Sequence, residues 1–462
     1  MAINTKLIKL YIILTIILYG NSAISANIVY PKAQNVTINS PRTFFIGNEK
    51  PRTSLKINDD AVDIHKSGGF WLTVSLHDGE NIFKIDNGKE VKTYKIFRSP
   101  AKVNINYSKP KLTEFSQYKF IETTKNNVPL RSTPEDFGIN RLQHFPKGMQ
   151  FCAVGEISGF YKVQLSNNDF AYIAKSDVKI TNIENISNKN ILDYTYYEDK
   201  QLRRFKLKLD DKTPYTLVEN NGLDLTIYGI NDFPNNEYKL HINCKNELFG
   251  YKSYYNNDNE LIVEVKNIPN VLNKHKPLNK IKITLDPGHG GTEFGAIGCL
   301  GNKEKDINLA IAKNLKTKLE QAGADVFMTR DNDKYVSLQD RVEFANNKNS
   351  QIFISLHNNA LPDSLADQKR SGTEVYYFYP QSKILAQDIL EGITKLAKTK
   401  NNGVKQQSFA VIRNTQSPSI LIEFAYIINP EDNSKLVNKN FQNALANGIV
   451  KGLEKYINDL QE

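Results

Sequence analysis

The hydrophobic pattern of this 462-residue sequence changes near Lys280. Before that point, short stretches such as residues 70–77 alternate apolar and polar side chains, which is the period of a half-buried β-strand. After it, short apolar runs alternate with segments whose apolar residues recur at every fourth position, as in a helix that buries one face. We therefore predict all-β modules in the N-terminal part, followed by an α/β domain with a mainly parallel sheet flanked by helices. The helical stripes contain Ile307, Ile311, Leu315 and Leu319, and Phe441, Leu445, Ile449 and Leu453.

The length of the chain predicts several domains, because one domain usually holds about 100 to 200 residues. Residues 27–100 contain an alternating strand and an Asp-Gly turn, and they resemble bacterial immunoglobulin-like modules. Residues 118–182 look like a bacterial SH3-like barrel, for which wall binding and a purely structural role are equally open. Residues 190–272 form another β-rich module, and a lysine-rich linker at 273–280 leads to the α/β domain at 281–460.

The N-terminal residues predict export. Lys6 and Lys9 precede an uninterrupted apolar run at residues 10–18, and small residues follow up to Ala26, as in a secretory signal peptide. A membrane anchor is the alternative, but the run is shorter than the roughly 20 residues that span a bilayer. We therefore expect a signal peptide at residues 1–26 and a secreted or periplasmic, wall-associated protein with no stable transmembrane segment.

The net charge and the cysteine content limit the kinds of binding partner and metal site that the chain can have. The formal net charge is +10, and removal of the two lysines of the signal peptide lowers it to +8. A basic chain favours an anionic surface, and for an exported protein that surface is the cell wall rather than nucleic acid. The three cysteines are widely spaced and odd in number, which argues against a disulfide framework and against a cysteine-ligated metal.

Two histidines and a carboxylate follow predicted strands or open a helix in the α/β domain. His289 lies in the glycine-rich segment Asp286-Pro-Gly-His-Gly-Gly291 after the first strand, and His357 ends the third strand. The carboxyl ends of neighbouring parallel strands meet at one edge of a sheet, so the histidines converge there. Glu304 taken alone could be a favourable first-turn charge, but beside two imidazoles it completes the ligand set of a catalytic zinc ion. The glycine-rich segment lacks the Gly-Lys-Ser/Thr of a P-loop, which excludes that kind of nucleotide site.

Glu423 interrupts an otherwise apolar run at residues 420–424. A carboxylate in such a strand is costly to bury unless it has a partner. A structural salt bridge is one explanation. The other is a general base that takes a proton from metal-bound water, and its position at the same sheet edge as the histidines favours this second explanation.

Taken in order, these segments resemble the N-acetylmuramoyl-L-alanine amidase family of zinc enzymes over nearly all of residues 280–457. The resemblance implies an exported hydrolase that uses zinc-activated water to cleave the amide between N-acetylmuramic acid and the L-alanine of the peptidoglycan stem peptide. The matching segments are Asp286-Pro-Gly-His-Gly-Gly291, Glu304-Lys-Asp-Ile-Asn-Leu309, Thr329-Arg330, Leu338-Gln-Asp-Arg341, Ser355-Leu-His357 and Ile420-Leu-Ile-Glu423.

The resemblance also assigns roles to residues and shows two departures. Residues 359–360 and 424–426 differ from the usual family sequence, although neither change touches a metal ligand. Some family members carry a long inhibitory helix after the second zinc histidine; here only a short loop, residues 361–371, stands there, so we expect an open site that needs no activator. The implied site residues are the zinc ligands His289, Glu304 and His357, the general base Glu423, and the substrate-binding residues Asn358 and Arg413.

Two other functions remain open from the sequence. Another zinc amide hydrolase, such as a wall carboxypeptidase or deacetylase, would use the same ligand types, but the ordered motifs favour the amidase. A wall-binding scaffold with an inactive hydrolase domain is the second, and the complete ligand set argues against it. Residues 190–272 are similar in place and strand pattern to the localisation domains that precede cell-wall amidases. The expected partners are peptidoglycan and, through the β modules, other wall-division proteins.

Overall fold

The computed structural model describes residues 26–99, 110–244, 248–271 and 273–461. Residues 1–25, which hold nearly all of the predicted signal peptide, lie outside the described residues. In the described ranges no helix is both long enough and apolar enough to cross a membrane. Three successive β-rich regions precede a region in which strands and helices alternate.

The first β region, residues 27–98, consists of two small sheets around a common core. Successive residues of a strand point to opposite faces, so the alternating sequence buries Phe45, Phe70 and Ile96 completely. Its strands are β1 (Asn27–Tyr30), β2 (Asn35–Thr37), β3 (Arg42–Asn48), β4 (Lys56–Ile57), β5 (Asp60–Ala61), β6 (Gly69–Ser75), β7 (Gly79–Asp86) and β8 (Val91–Arg98). The sheet orders are β1-β3-β6 and β2-β8-β7-β4-β5.

The second β region, residues 113–180, is one antiparallel sheet of seven strands. Its strands are β9 (Thr113–Thr123), β10 (Val128–Arg131), β11 (Arg141–Phe145), β12 (Gln150–Ile157), β13 (Phe160–Gln164), β14 (Phe170–Ala174) and β15 (Val178–Ile180). They lie in the order β11-β10-β14-β13-β12-β9-β15. Strands that are distant in sequence are therefore neighbours, as in the pairs β10–β14 and β9–β15.

The third β region, residues 191–266, has two antiparallel sheets and shares its core with the second. The phenyl ring of Phe145 lies edge-on to the ring of Tyr215, with 5.7 Å between centroids, within one continuous cluster of buried side chains. Its strands are β16 (Ile191–Glu198), β17 (Leu202–Leu209), β18 (Tyr215–Glu219), β19 (Gly222–Tyr228), β20 (Glu237–Asn243), β21 (Tyr251–Tyr255) and β22 (Glu260–Lys266). The orders are β16-β17-β22-β21 and β18-β19-β20.

The α/β region, residues 281–460, is a six-stranded sheet covered by helices. Its strands are β23 (Lys282–Pro287), β24 (Asp325–Met328), β25 (Ile352–Asn359), β26 (Thr373–Tyr377), β27 (Asn401–Gln406) and β28 (Ser419–Tyr426). Its helices are α1 (Glu304–Gln321), α2 (Leu338–Asn347), α3 (Lys383–Ala397), α4 (Pro430–Leu436) and α5 (Lys439–Asp459). The spatial order of the strands is β24-β23-β25-β28-β26-β27.

The sheet of the α/β region is mixed, which corrects the expectation of a mainly parallel sheet. β26 pairs with β28 in the antiparallel sense, whereas the other neighbours in the sheet are parallel. The reason is the connection between β25 and β26: it contains no crossover helix, so β26 starts at the edge where β25 ends and runs the opposite way. The first residues of β26 are thereby brought to the edge where β25 and β28 end.

The first β region packs on the α/β region beside this connection. Phe44 and Trp71 belong to the same cluster of buried side chains as the α/β core. The hydroxyl groups of Tyr30 and Thr43 donate hydrogen bonds of 2.8 Å and 2.5 Å to the carboxylate of Asp363, which lies in the loop between β25 and β26. The loop that borders the predicted site is therefore held from outside the α/β region.

Candidate active site

The loop after β23 presents His289 at the carboxyl edge of the sheet. His289 has a left-handed backbone, with φ of 60°, and glycines flank it on both sides. Gly288 lies against the imidazole of His357, so closely that a Cβ atom there would be 2.1 Å from the ring. A Cβ atom on Gly290 would lie 2.1 Å from the carbonyl oxygen of Lys334. Gly288 is therefore required for the close approach of His357 to the loop of His289, and Gly290 for the packing of that loop against Lys334.

His289, Glu304 and His357 form one cluster, as the sequence predicted. The Glu304 carboxylate lies 3.2 Å from His289 Nε2 through Oε2, and 2.9 Å from His357 Nδ1 through Oε1. One ligand atom from each of the three residues lies within 4.8 Å of the other two. Glu304 is 4% exposed, whereas both histidine side chains reach solvent. The cluster is thus anchored in the interior and open on one side.

The chemistry of this donor set fits a zinc ion. Zinc in catalytic sites takes three protein ligands of imidazole and carboxylate type and keeps a fourth position for water or substrate. Burial opposes ionisation of Glu304, but hydrogen bonds from the two histidines outweigh it and hold the pKa of this carboxyl well below its ordinary value. Glu304 is therefore present as the carboxylate that a metal requires.

Neighbouring groups fix the orientation of Glu304. Its Oε2 accepts a hydrogen bond of 2.9 Å from the backbone N–H of Ala296, and its Oε1 accepts one of 3.1 Å from the backbone N–H of Asn358. Asn308, one turn along α1, donates to Oε1 at 3.3 Å. Outer contacts of this kind orient the ligands of a metal site, so the carboxylate keeps its position before any metal binds.

Asn358 supports the cluster from the interior. Its side chain is 2% exposed and donates a hydrogen bond of 2.6 Å to Asn308 Oδ1. The substrate contact inferred from the sequence would require an accessible side chain, and this position does not favour it. Asn358 is better described as a residue that holds Glu304 and Asn308 in place.

Two buried arginines hold the histidine loop. Arg330 donates from Nε to the carbonyl oxygen of Pro287 at 2.9 Å and from Nη2 to that of Gly288 at 2.9 Å. Arg341 pairs with Asp286 at 2.7 Å and donates to the carbonyl oxygen of His289 at 3.0 Å. Both guanidinium groups are directed at backbone carbonyls of the loop, so they position His289.

Glu423 lies beside the cluster on β28, opposite His357 in the strand register. Its Oε2 atom is buried and, among the described residues, has no hydrogen-bond partner. Burial first, and then the negative charges of Glu304 and Glu374, raise the pKa of Glu423 well above its ordinary value. No salt bridge involves Glu423 in the described part of the chain, which removes the support for a structural ion pair. A carboxyl group in this condition is suited to exchange protons with a reactant.

Glu374 is a further acidic residue of the site that the sequence motifs do not include. It lies on β26 directly opposite Glu423, and it is 1% exposed. Its carboxylate accepts hydrogen bonds from the hydroxyl groups of Tyr376 and Tyr426 and pairs with Lys405 Nζ at 2.9 Å. Burial opposes ionisation, but these three partners lower the pKa of Glu374 below its ordinary value. Glu374 stands at the start of its strand rather than inside an apolar run, so its own segment gave no sign that it lies beside Glu423.

Arg413 lies apart from the cluster. Its Nη1 donates to the carbonyl oxygen and the hydroxyl of Ser408, at 2.7 Å and 3.1 Å. In the described ranges, no hydrogen bond or ion pair links Arg413 to the two histidines or to Glu304 or Glu423. Its predicted contact with substrate stays a prediction.

Comparison with known proteins identifies relatives of the α/β region. Residues 283–455 match a family model described as N-acetylmuramoyl-L-alanine amidase. The chain is 40% identical over 186 residues to the probable cell wall amidase LytH of Staphylococcus saprophyticus. The aligned residues make up 40% of this chain and 61% of that relative. It is 36% identical over 185 residues to the uncharacterized protein YqiI of Bacillus subtilis, covering 39% of this chain and 87% of that protein.

A similar match exists among solved structures. The N-acetylmuramoyl-L-alanine amidase AmiC2 of Nostoc punctiforme is 38% identical, with 40% of this chain and 99% of that chain covered and a TM-score of 0.37. The chain spans about three fifths of the length of the LytH relative.

Proposed function

We propose, because this chain belongs to the N-acetylmuramoyl-L-alanine amidase family, that it is a zinc-dependent peptidoglycan amidase. The bond cleaved is the amide between the lactyl group of N-acetylmuramic acid and the L-alanine of the stem peptide. The observation that carries the proposal is that the cluster of His289, Glu304 and His357 lies beside Glu423, whose buried Oε2 atom has no hydrogen-bond partner among the described residues. This combination supplies a metal position and a proton acceptor at one edge of the sheet.

His289, Glu304 and His357 would hold the zinc ion. When bound, zinc polarises the carbonyl of the scissile amide and lowers the pKa of a water molecule. The chain itself contributes the fixed ligand geometry, because Arg330 and Arg341 hold the loop of His289 and backbone N–H groups hold Glu304.

Glu423 acts as the general base and then as the general acid. It takes one proton from the attacking water, while the oxygen of that water forms a bond to the lactyl carbonyl carbon. It returns the proton to the nitrogen of alanine as the carbon–nitrogen bond breaks. The products are a lactyl carboxylic acid on the glycan and a free amine on the stem peptide, so one water molecule is consumed for each bond cleaved.

The short loop between β25 and β26 is the reason for proposing that the enzyme is active without an activator protein. It contains one 3-10 turn, Asp363–Leu365, and Tyr30 and Thr43 hold its Asp363 against the first β region. Because both metal-site histidines are partly exposed beside it, substrate can reach the cluster. A large rise in rate on addition of a wall-division activator would contradict this proposal.

The remaining proposals concern the other parts of the chain. We infer export by a signal peptide at residues 1–26, since its pattern is that of a secretory leader. The three β regions would bind the cell wall or other wall-division proteins, with an immunoglobulin-like module at 27–100, an SH3-like module at 118–182 and a localisation module at 190–272.

Mass analysis of purified peptidoglycan tests the activity. The full chain is incubated with peptidoglycan and zinc, with a chelator, and with zinc restored after the chelator. We expect free stem peptides that begin with alanine, their loss with the chelator and their return with zinc. Release of terminal D-alanine or of acetate would instead indicate a carboxypeptidase or a deacetylase, and unchanged peptidoglycan would indicate a scaffold.

A further inference from the structure

A cleft of about 520 Å³ lies between the third β region and the α/β region. One wall is formed by residues 200–202 and 266–270, and the other by Lys280, Lys282 and neighbouring residues at the start of β25. This volume is in the range of small-ligand sites, which are about 300–1,000 Å³. We call it the lysine cleft, because its lining includes Lys200, Lys266, Lys280 and Lys282.

The lysine cleft is separate from the proposed active site. Lys282 begins β23, and Gln351 directly precedes β25, so the cleft lies at the amino ends of these parallel strands. His357 lies toward the carboxyl end of β25. His357 is six residue steps along the chain from Gln351, which corresponds to roughly 20 Å at about 3.3 Å per residue. A ligand in the cleft would not contact the metal site.

Most of the positive charge of the cleft has no ion-pair partner. The lining, all within the described residues, includes four lysines and no carboxylate. Lys280 pairs with Asp325 at 3.8 Å, outside the lining, and no ion pair involves the other three lysines in the described part of the chain. Lys266 Nζ donates to the carbonyl oxygen of Ser350 at 3.1 Å, and no ion pair to Lys266 is found in the described ranges. Ammonium groups gathered without an opposing charge favour the binding of an anion.

Lys266 is the most constrained of the four. Burial first, and then the positive charges of Lys252 and Lys282, lower its pKa to about 8. An anion placed between Lys266 and Lys282 would reverse both effects, because it would replace lost hydration and offset the repulsion between the two lysines.

The rest of the lining is neutral and of two kinds. Gln201, Asn270 and Asn349 offer side-chain amides that make no hydrogen bond within the described part of the chain, and amides of this kind bind hydroxyl groups. Ile268 and Pro269 supply an apolar surface. The lining therefore suits a ligand that joins a carbon skeleton with hydroxyl groups to a strong negative charge.

We propose that the lysine cleft binds a phosphate ester of a carbohydrate or polyol. A phosphate monoester carries nearly two negative charges and three acceptor oxygens at neutral pH, which suits several ammonium groups better than a carboxylate does. The phosphate would lie between Lys266 and Lys282, and the hydroxyl groups would face Gln201, Asn270 and Asn349. A small soluble phosphate ester and a repeating unit of a phosphodiester polymer both offer a phosphate group beside hydroxyl groups, and the phosphodiester differs in carrying a single negative charge.

Titration calorimetry with the full chain at low salt tests this site. The probes are inorganic phosphate, glycerol 3-phosphate and an oligomer of glycerol phosphate, and the controls are acetate, an anion without phosphate, and glycerol, a polyol without phosphate. We expect binding of at least one phosphate ester and none of the controls. Tighter binding of the oligomer than of glycerol 3-phosphate would assign the polymer as the source, and the reverse would assign the small ester.

Variants locate the binding in the cleft. Lys282→Gln and Lys266→Met should each weaken binding by about tenfold, the effect of losing one charge-assisted contact. Lys313→Gln, which removes an exposed lysine of α1, should leave it unchanged. If Lys266→Met does not fold, the double variant Lys200→Gln, Lys282→Gln decides. Failure of every phosphate probe to bind, equal binding of acetate, or unchanged binding in the cleft variants would overturn the proposal.

Discussion

The carboxyl edge and the amino edge of the α/β sheet hold different kinds of side chain. At the carboxyl edge, His289, Glu304, His357 and Glu423 converge from segments that lie within one region of the chain. At the amino edge, the lysine cleft combines residues of the third β region with residues of the α/β region. The first edge can be assembled from motifs along one fold, whereas the second exists only because two regions are packed together.

The largest effect is expected at the carboxyl edge, from Glu423→Gln. The amide keeps the shape of the side chain but cannot take a proton from water, so hydrolysis should fall by about 10²–10⁴-fold while zinc content stays at one ion per chain. Stem-peptide release and metal analysis measure the two quantities. Glu391→Gln, which changes an exposed carboxylate on α3, is the matched control. Substantial activity in Glu423→Gln would remove this residue from the reaction.

Gly288→Ala tests whether close approach of the histidines builds this edge. The added methyl group would meet the ring of His357 at 2.1 Å, so His357 must move out of the cluster. Zinc affinity should fall by about 10–100-fold, the range seen when groups that orient metal ligands are disturbed. Gly159→Ala is the control, since a Cβ atom there meets nothing within 4 Å. Unchanged zinc affinity would show that the loop tolerates the shift.

A smaller effect is expected from Glu374→Gln. The negative charge of Glu374 contributes to the raised pKa of Glu423, so its removal should lower that pKa. Glu423 must be deprotonated to act as a base, and activity therefore rises with pH through its pKa. The acidic limb of the kcat/KM profile should therefore move to lower pH, although burial, the larger cause of the raised pKa, stays in place. An acidic limb that stays in place would mean that Glu374 has only a structural role.

The smallest effect is expected when the amino edge is changed and the carboxyl edge is assayed. Lys282→Gln should leave stem-peptide release within about twofold of the unchanged chain, because the substituted residue lies at the far end of the strands. If this variant loses hydrolysis to the same extent as Glu423→Gln, the two edges are not independent.

The sequence predicted the metal cluster and not its surroundings. The convergence of His289, Glu304 and His357 could be predicted because each residue follows a strand or opens a helix, and the geometry of a sheet edge then brings them together. The position of Glu374 could not be predicted, because it depends on β26 running antiparallel to β28, and the residues of a strand do not specify whether it pairs in the parallel or the antiparallel sense. Strand β27, Asn401–Gln406, could not be predicted either, because an edge strand of mostly polar residues shows no alternation of apolar and polar side chains.

The contacts between the regions could not be predicted from the sequence either. Alternation in β11 and β18 indicates that each strand buries one face, but it does not state which neighbour covers that face. The structure pairs Phe145 with Tyr215 across two regions that the sequence treats as separate modules. Trp71 likewise packs on the α/β core rather than within its own region. Each of these choices is made by shape complementarity in three dimensions.

The core common to the second and third β regions has a consequence for how the chain comes apart. Phe145 and Tyr215 lie in one cluster, so separation of these regions would expose apolar surface on both. Heating should melt them as a single cooperative unit with one calorimetric transition. A proteolytic cut between residues 180 and 191 would leave two fragments that stay associated. The second and third β regions therefore fold and unfold as one structural domain.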